Sequence, residues 1–309
     1  MRLPLTLLAL SCLVTVAACQ RSTDAPPGKT GPAERDYMLT VSRPNTLNLI
    51  DLHENKIVRQ CELPGAPTPG TVVLSPDKTL AYVLADGFSD VYGFRLDDCE
   101  LVFSTRQSSG NLRVKSFGSL AISPDGGEIY THQNRVKLLN DHYLMQAPLV
   151  AVFDTSAGLN TPALRSFEAP RQVTIMATGA DGQLYLGGPD IYRMDVTTGE
   201  YDVALRSRSL EDPAYGARDI LSVWPLGEVN GELIRMYSVA KYRNRQDDEE
   251  GDPEDADFLW GYERVDLQTG ETESQDFGPL EVVLFTSMRR PGHLDQVYGV
   301  LNELKVFDV

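Results

Sequence analysis

A unit of four short predicted strands recurs along the chain, and this repeat limits the possible folds more than any single residue does. One half of the unit is an apolar strand, an Asp-containing turn and a second strand, as in Leu74–Leu84, Ile122–Thr131 and Thr178–Leu186. The other half ends in aspartate, at positions 51, 97, 154, 195, 266 and 308. These aspartates are 46, 57, 41, 71 and 42 residues apart. A period of about 40–45 residues with four strands per unit is typical of a β-propeller.

The strands of a propeller blade are named a to d from the central channel outward. Residues 37–63 predict a first fragment of three strands that lacks strand a, and residues 282–309 predict a last piece that stops at its third strand. Four complete units lie between them, at residues 71–105, 119–168, 173–205 and 221–277. Helical periodicity is nearly absent after residue 35, so the predicted fold class is all-β, a propeller of four-stranded blades.

The C-terminus is predicted to be truncated. The chain stops at Phe307-Asp308-Val309, where every earlier unit turns into its fourth strand. An open propeller would expose unpaired strand edges, which natural proteins avoid. We therefore expect that about one further blade plus closing strands, roughly sixty residues by the repeat length, is missing from this sequence.

The acidic balance of the chain excludes one class of partner. A formal net charge of −16 argues against nucleic acid, which needs a basic surface. It could attract a basic protein or a cationic substrate. The densest acidic run, Gln246–Asp257, lacks the fixed oxygen spacing of a calcium loop. We interpret this run as a solvated insertion between two outer strands, with weak calcium binding or contact with a basic partner as the alternative.

The N-terminus has the features of an export signal over residues 1–18. Arg2 supplies the positive charge, residues 3–17 are largely apolar, and small residues precede the expected cleavage site. Cys19 follows directly, as in the lipobox of bacterial lipoproteins, where this cysteine receives the lipid. Plain secretion with an incidental cysteine is the alternative. Residues 19–34 then predict a polar linker, and residues 35–309 the propeller domain.

Cys61 and Cys99 are the two cysteines of the folded part, and an exported protein can form a disulfide. Cys61 lies in a predicted strand, whereas Cys99 lies in a turn of the next unit. Cysteines at equivalent positions of neighbouring blades would be better placed to pair. We therefore predict that both thiols are free.

Signatures of catalysis and metal binding are sparse. The histidines lie at positions 53, 132, 142 and 293. They show no ligand spacing, and no Cys-x-x-Cys-His haem attachment site occurs, so we predict no metal site and no covalent haem in this chain. We expect the histidines in turns or on the surface. Asp77, Asp125 and Asp181 lie in the repeated segments and are interpreted as residues of tight a-to-b turns.

The connections from strand d of one blade to strand a of the next emerge on one face of a propeller. Here they carry Arg113, Lys115, Arg171 and Gln172. Basic and amide side chains next to the mouth of the channel form a plausible docking face for a partner. Alternatively, they only satisfy buried carbonyl groups around the channel.

Several segments resemble the β subunit of quinohemoprotein amine dehydrogenase. The most specific are Arg113–Phe117 and Phe167–Thr174, which occur in this order on adjacent predicted blades. Other similar segments are Arg35–Leu39, Gly65–Pro69, Ala121–Gly126, Asp219–Trp224 and Val265–Glu271. The resemblance covers essentially all of residues 35–309.

The resemblance implies a seven-bladed propeller in a periplasmic heterotrimer that oxidises primary amines. In that family the large α subunit carries two c-type haems and the small γ subunit carries cysteine tryptophylquinone. The quinone takes electrons from the amine, releasing aldehyde and ammonia, and passes them through the haems to an external acceptor. The β subunit holds no cofactor, supports the small subunit and helps to wall the substrate cavity.

For this chain, the resemblance implies that no catalytic residue and no cofactor are its own. Its partners would be a dihaem cytochrome c and a quinone-bearing small subunit, with the primary amine bound at their interface. Arg113, Lys115, Arg171 and Gln172 become the candidate docking or cavity-lining residues. A lipid anchor at Cys19 is not required by the family.

Two other functions compete with this interpretation. One is a stand-alone binding propeller of the Tyr-Val-Thr-Asn repeat class, anchored to the envelope and without enzymatic activity. The other is a propeller hydrolase such as a lactonase, which needs a cluster of histidine, acid or metal around the channel. The scarcity of histidine argues against the hydrolase.

Overall fold

The computed structural model describes residues 37–65, 68–116, 120–206, 219–225, 231–240, 258–280, 286–289, 295–300 and 304–308, and the structural statements below concern these residues. The predicted export signal, Cys19 and the linker lie outside them. The acidic run Gln246–Asp257 also lies outside them, and the strands on either side of it are described. No helix of the described part is long and apolar enough to cross a membrane.

The first half of the described chain forms three antiparallel sheets. Sheet 1 contains β1 (Tyr37–Ser42), β2 (Thr46–Asp51) and β3 (Lys56–Glu62). Sheet 2 contains β4 (Val72–Leu74), β5 (Leu80–Ala85), β6 (Asp90–Arg95) and β7 (Leu101–Arg106). Sheet 3 contains β8 (Leu112–Lys115), β9 (Leu120–Ile122), β10 (Glu128–Leu138), β11 (Tyr143–Met145), β12 (Leu149–Asp154) and β13 (Arg165–Glu168). A short 3₁₀ helix, Thr155–Ala157, follows β12.

The second half forms three more sheets of the same kind. Sheet 4 contains β14 (Ile175–Thr178), β15 (Leu184–Gly187), β16 (Ile191–Met194) and β17 (Tyr201–Leu205). Sheet 5 contains β18 (Asp219–Pro225), β19 (Glu232–Ala240), β20 (Phe258–Asp266) and β21 (Thr272–Leu280). Sheet 6 contains β22 (Thr286–Arg289), β23 (Gln296–Val300) and β24 (Leu304–Asp308).

The sheets are arranged as the blades of a propeller. Within sheets 2, 4 and 5, each strand pairs with the next one along the chain. One strand of each successive sheet lies beside the next, in the order β4, β9, β14, β18 and β22, and β1 lies next to β4. In sheet 3 this strand is β9, the partner of the first half of β10. Meander sheets stacked around these strands confirm the predicted all-β propeller. Sheets 2 to 5 correspond to the four predicted complete units, and sheets 1 and 6 to the three-stranded pieces.

Sheet 3 departs from the predicted pattern because its b strand is much longer than expected. The sequence predicted Glu128–Thr131, whereas β10 runs to Leu138. Its first half pairs with β9 and β12, as in an ordinary blade. Its second half pairs with β8 on one side and β11 on the other, two strands that the sequence reading missed. The d-to-a connection at Arg113 therefore contains a strand, because β8 satisfies the backbone of the extended β10.

The apolar core lies between neighbouring sheets. Tyr82 and Phe103 of sheet 2 pack edge to face with ring centroids 5.6 Å apart, and they share a cluster with Leu120 and Phe153 of sheet 3. Because both faces of an inner strand are covered, β5 is an almost uninterrupted apolar run rather than an alternating one. Gly93 is required under these rings, since a Cβ there would lie 2.7 Å from the Tyr82 ring.

The a-to-b turns confirm the structural interpretation of the repeated aspartates. Asp77 accepts hydrogen bonds from the Ser75 hydroxyl at 2.5 Å and the Thr79 amide at 3.1 Å. Asp125 accepts a bond from Ser123 in the same way, and Asp181 accepts a bond from the amide two residues later at 3.0 Å. The serine hydrogen bond is the largest cause that lowers the pKa of Asp77 and of Asp125. These carboxylates hold turns closed and are not poised for catalysis.

The c-to-d turns share a left-handed residue four positions after the turn begins. The equivalent residues are Asn55, Cys99, Gly158, Gly199 and Gly270, all with positive φ. In three of them the amide bonds the carbonyl four residues earlier, on Arg95, Asp195 or Asp266. Arg95, and not the predicted aspartate at position 97, is therefore the equivalent residue of sheet 2. Cysteine is unusual here, because this backbone conformation favours glycine or asparagine.

Cys61 and Cys99 form a disulfide with their Cα atoms 5.3 Å apart, so the prediction of two free thiols is wrong. Cys61 lies on the outermost strand of sheet 1, and Cys99 lies in the c-to-d turn of sheet 2. The prediction assumed that only equivalent positions of neighbouring blades meet. Face-to-face packing instead brings Cys99 into the apolar cluster between sheets 1 and 2 that contains Cys61.

We expect that replacing both cysteines lowers the free energy of unfolding by about 3–4 kcal/mol, since the disulfide closes a loop of 38 residues. The pair Cys61→Ala and Cys99→Gly should recover about 1 kcal/mol relative to Cys61→Ala and Cys99→Ala, because glycine accepts the left-handed turn. Urea unfolding of the two variants measures both effects. Equal stability of wild type and variants, with or without reductant, would contradict the assignment.

Candidate functional site

The d-to-a connections and the b-to-c loops lie on the same side of the propeller, which we call the loop face. This follows from the antiparallel order, since every strand reverses the direction of the one before it. The a-to-b and c-to-d turns lie on the opposite side, which we call the turn face. All four predicted docking residues, Arg113, Lys115, Arg171 and Gln172, belong to the loop face.

The first pair of candidates lies on β8. Lys115 is half-buried, and its ammonium group donates to the backbone carbonyls of Asp86 and Gly87 in the b-to-c loop of sheet 2. Arg113 is exposed and donates to the Gly110 carbonyl at 2.7 Å. Lys115 therefore joins two sheets through loop carbonyls, whereas the guanidinium group of Arg113 stands at the surface.

The second pair lies in the connection between sheets 3 and 4. Arg171 and Gln172 are both exposed, and Gln172 has a left-handed backbone with φ of 61°. The b-to-c loop of sheet 4 packs against their backbone: a Cβ at Gly188 would lie 3.4 Å from each of their carbonyl oxygens. The backbone of this connection is thus in contact with sheet 4, while the two side chains are exposed.

His132 joins the two pairs, contrary to the prediction that the histidines lie in turns or on the surface. It is 0% exposed and its Nε2 donates to the Pro170 carbonyl at 2.8 Å. Burial lowers the pKa of His132, which favours the neutral form of the imidazole. Two residues along the same strand, Asn134 donates to the Lys115 carbonyl at 3.3 Å. Strand β10 is thus hydrogen-bonded to both candidate segments.

The remaining histidines fall where the prediction put them, as far as they are described. His53 and His142 are exposed and lie outside the strands, and His142 bonds Asp141 at 2.7 Å. His293 lies outside the described residues. Within the described part of the chain, no group of three or more His, Cys, Asp or Glu side chains is arranged to hold a metal ion.

A pair of carboxyl groups, one buried and one partly exposed, lies next to the Lys115 contact. Asp90 begins β6 and is almost fully buried beside Asp86. Tyr92 donates its hydroxyl to Asp86 at 2.9 Å, and Arg106 approaches Asp90 at 3.7 Å. Burial first, and then the hydrogen bond and charge of Asp86, raise the pKa of Asp90 to about 6. This pair was not predicted from the sequence, because the repeat has no pattern that identifies residues of a b-to-c loop.

Polar side chains continue the network around the loop face. The Gln107 side-chain oxygen accepts bonds from Thr131 at 2.9 Å and from Gln133 at 2.8 Å. It also accepts a longer bond from Ser116 at 3.3 Å. These contacts tie the connection that precedes sheet 3 to its b strand. They hold the backbone of the segment that contains Lys115.

Sheet 5 contains a buried ion pair. Arg235 on β19 is 1% exposed and contacts Glu263, its direct cross-strand neighbour on β20, which is 0% exposed. Arg235 also donates to the carbonyl of Gly188 in sheet 4. The guanidinium group therefore has both a carboxylate and a loop carbonyl as partners, as a buried charge requires.

The turn face carries an acidic groove of about 730 Å³ between sheets 3 and 4. Its carboxylates already have donors: Glu128 forms a two-point ion pair with Arg165 at 2.6 and 2.7 Å, and Asp195 accepts bonds from its own turn amides. These bonds are the largest cause of the lowered pKa of Glu128 and of Asp195. The groove thus consists of satisfied turn residues.

The described part of the chain combines exposed charged side chains with a rigid, hydrogen-bonded support. Among its buried titratable groups, Arg235 pairs with Glu263, His132 donates to a backbone carbonyl and Asp51 accepts from backbone amides. Such a surface is suited to recognition of a partner. It supplies positively charged and amide donors on a chain whose formal net charge is −16.

Comparisons with known proteins give the fold but no family. No family model and no curated protein matches the chain. A chain of the Kuenenia stuttgartiensis hydrazine synthase aligns with a TM-score of 0.56 and 13% identity, over 85% of this chain and 70% of that one. A chain of a mitotic checkpoint complex aligns with a TM-score of 0.53 and 11% identity, over 88% and 73%. At such identities these likenesses show the propeller fold alone.

We expect Asp90 to make stability depend on pH. Its folded-state pKa of about 6 exceeds its ordinary value of 3.8, so the folded state binds the proton more tightly than the unfolded state. Stability from this group therefore falls as pH rises from about 4 to about 6 and is level above. Asp90→Asn, which mimics the protonated acid, should remove this slope and add about 1–2 kcal/mol at pH 7.

Chemical unfolding of wild type and Asp90→Asn between pH 4 and 8 tests this expectation. Asp202→Asn, at an exposed carboxylate of the turn face, is the matched control and should leave the slope unchanged. A wild-type protein whose stability rises through this interval because of Asp90 would contradict it.

The buried ion pair gives a second expectation. Glu263→Gln leaves the buried Arg235 charge without its carboxylate and should cost about 3–5 kcal/mol. Arg235→Met combined with Glu263→Leu removes both charges and should cost clearly less than the single change. Urea unfolding measures the free energy of unfolding of the two variants and so compares the two costs. A double variant less stable than Glu263→Gln would mean that the pair itself stabilises the fold.

Proposed function

We propose that this protein is the non-catalytic propeller subunit of a periplasmic quinohemoprotein amine dehydrogenase. Its role would be to support the small quinone-bearing subunit and to form part of the wall of the cavity in which a primary amine is oxidatively deaminated. The cofactors, cysteine tryptophylquinone and haem c, would belong to the partner subunits. This chain would contribute recognition and positioning, and no reacting group.

One observation carries the proposal. The two segments that most specifically resemble the family, Arg113–Phe117 and Phe167–Thr174, meet on one strand. His132 on β10 bonds the Pro170 carbonyl, and Asn134 bonds the Lys115 carbonyl. Segments separated by about fifty residues in the chain therefore build one patch of the loop face. A shared surface is what a common partner requires.

The four candidate residues take different parts within this proposal. Arg113 and Arg171 are exposed and present their charges to a partner. Gln172 is exposed beside Arg171 and offers a neutral donor and acceptor. The ammonium group of Lys115 donates to loop carbonyls of sheet 2, so Lys115 stabilises the loop next to the patch. We thus assign direct contact to Arg113, Arg171 and Gln172, and support to Lys115.

Export to the periplasm belongs to the same proposal. A disulfide between Cys61 and Cys99 suits an oxidising compartment. The N-terminal signal suits export, and Cys19 would then attach the mature protein to the membrane by a lipid. An anchored propeller would hold the soluble redox subunits close to the membrane surface.

Co-expression with a dihaem cytochrome c subunit and a small quinone subunit tests the proposal. An affinity tag on this chain should retain haem absorbance and quinone-dependent redox staining in one complex. Arg113→Glu with Arg171→Glu should weaken capture at least about tenfold, because two interfacial charges are reversed. Arg95→Glu with Arg193→Glu changes the net charge equally on the turn face and should leave capture unchanged.

Two results would contradict the proposal. If the wild-type chain retains neither haem protein nor quinone protein, it functions as a stand-alone binding propeller. If both pairs of reversals weaken capture equally, the effect is that of net charge and the loop-face patch is not the docking surface.

A further inference from the structure

The extension of sheet 3 forms an arm that continues β10 beyond its pairing with the blade strand β12, and β11 of this arm is exposed. The arm consists of β8, the second half of β10 from Asn134 to Leu138, and β11, with the turn between them. The last residue of β10 that pairs with the blade strand β12 is Gln133. The five following residues therefore extend the strand by about 16 Å. The resemblance and the docking patch account for Arg113 and Lys115 but leave β11 without a role.

Apolar side chains are exposed on the arm. Tyr143 is 75% exposed and Met145 is 67% exposed, the largest exposures among the large apolar residues of the described part. Directly paired residues lie on the same face of a sheet, so Met145 shares a face with Val136, and Tyr143 with Leu138. A contiguous apolar strip of this kind is typical of an interaction surface.

The outer edge of β11 is open among the described strands. No described strand pairs with it on the side away from β10. The ladder bonds on either side of β11 run from Leu139 N to His142 O and from Gln146 N to Arg135 O. Because bonded pairs alternate along an antiparallel ladder, Leu144 faces β10, and the N–H and C=O groups of Tyr143 and Met145 point outward. Such an edge is a template for an added strand.

The arm also differs in charge from the rest of the chain. It carries Arg113, Lys115, Arg135 and Lys137 against a single carboxylate, Asp141. The formal net charge of the whole chain is −16. An acidic segment is thus attracted by the arm and repelled by the remaining surface, so that the charges direct it to this one place.

We propose that the arm is a strand-addition site for an extended, acidic segment of a partner protein. The segment pairs with the outward backbone groups of Tyr143 and Met145. Its apolar side chains, at alternate positions, cover the exposed strip, and its carboxylates meet the basic residues of the arm. The proposal does not depend on the amine dehydrogenase role.

A synthetic peptide tests the proposal on the full mature chain. The probe is a fluorescent nine-residue peptide in which glutamate alternates with valine, and fluorescence anisotropy at low ionic strength measures its binding. A version with serine in place of glutamate tests the charge. A version methylated at alternate backbone nitrogens cannot pair as a strand on its methylated edge. We expect each control peptide to bind at least about tenfold more weakly.

Variants of the protein locate the site. Arg135→Glu with Lys137→Glu should weaken binding of the glutamate peptide about tenfold or more. Lys56→Glu with Arg59→Glu makes the same change in net charge on β3 of sheet 1, also an edge strand, and should change binding less than about threefold. Met145→Pro blocks an outward N–H and should abolish binding, whereas Met145→Ala keeps that N–H and should only weaken it.

Several outcomes would overturn the proposal. They are an absence of binding by wild type, equal loss in the two charge-reversal pairs, and unchanged binding of the N-methylated peptide. Sedimentation velocity adds one more: a wild-type dimer that Met145→Pro dissociates would show that a second copy occupies the edge. The three peptides are compared on the wild-type chain, so the test holds even for a variant that does not fold.

Discussion

Burial of apolar surface between neighbouring sheets is the constraint on which this fold depends. A blade has two faces, and each face of an inner blade is covered only by the next sheet around the ring. Tyr82 and Phe103 of sheet 2 therefore need Leu120 and Phe153 of sheet 3, and the same relation joins sheets 1 and 2, 3 and 4, and 4 and 5. Each core cluster of the described residues spans two sheets. If one sheet unfolds, the apolar face of its neighbour becomes exposed to solvent, as in other repeat architectures.

This packing leaves a second requirement, because loops between blades contain carbonyl groups without strand partners. The structure meets it with side chains from adjacent sheets. Lys115 donates to a carbonyl of sheet 2, His132 to the connection leading to sheet 4, and Arg235 of sheet 5 to a carbonyl of sheet 4. Each donor joins two neighbours and satisfies a carbonyl group of a loop or connection. Lys115 stays a predicted docking residue, and the structure shows in addition that its ammonium group donates to loop carbonyls of sheet 2.

The sequence predicted what depends on local patterns. Alternation and turn residues located the four-stranded units and the a-to-b turns around Asp77 and Asp125. It did not predict the pairing of Cys61 with Cys99 or the contact of Arg235 with Glu263, since these depend on how sheets pack and on strand register. A signal for the disulfide was nevertheless present: Cys99 occupies a left-handed position that takes glycine or asparagine in the equivalent turns. The disulfide holds this cysteine in a backbone conformation that favours glycine.

The extension of sheet 3 was missed for a different reason. Segments such as Leu112–Lys115 alternate apolar and basic residues over only four positions, which is too short to distinguish a strand from a connection. Once β10 continues beyond its blade, however, its backbone groups need partners on both sides, and β8 and β11 supply them. A recognition element built on a strand that begins in the core is held more rigidly than a loop would be. The propeller thus fixes the position and direction of the arm. The side chains of the arm supply its exposed apolar and basic groups.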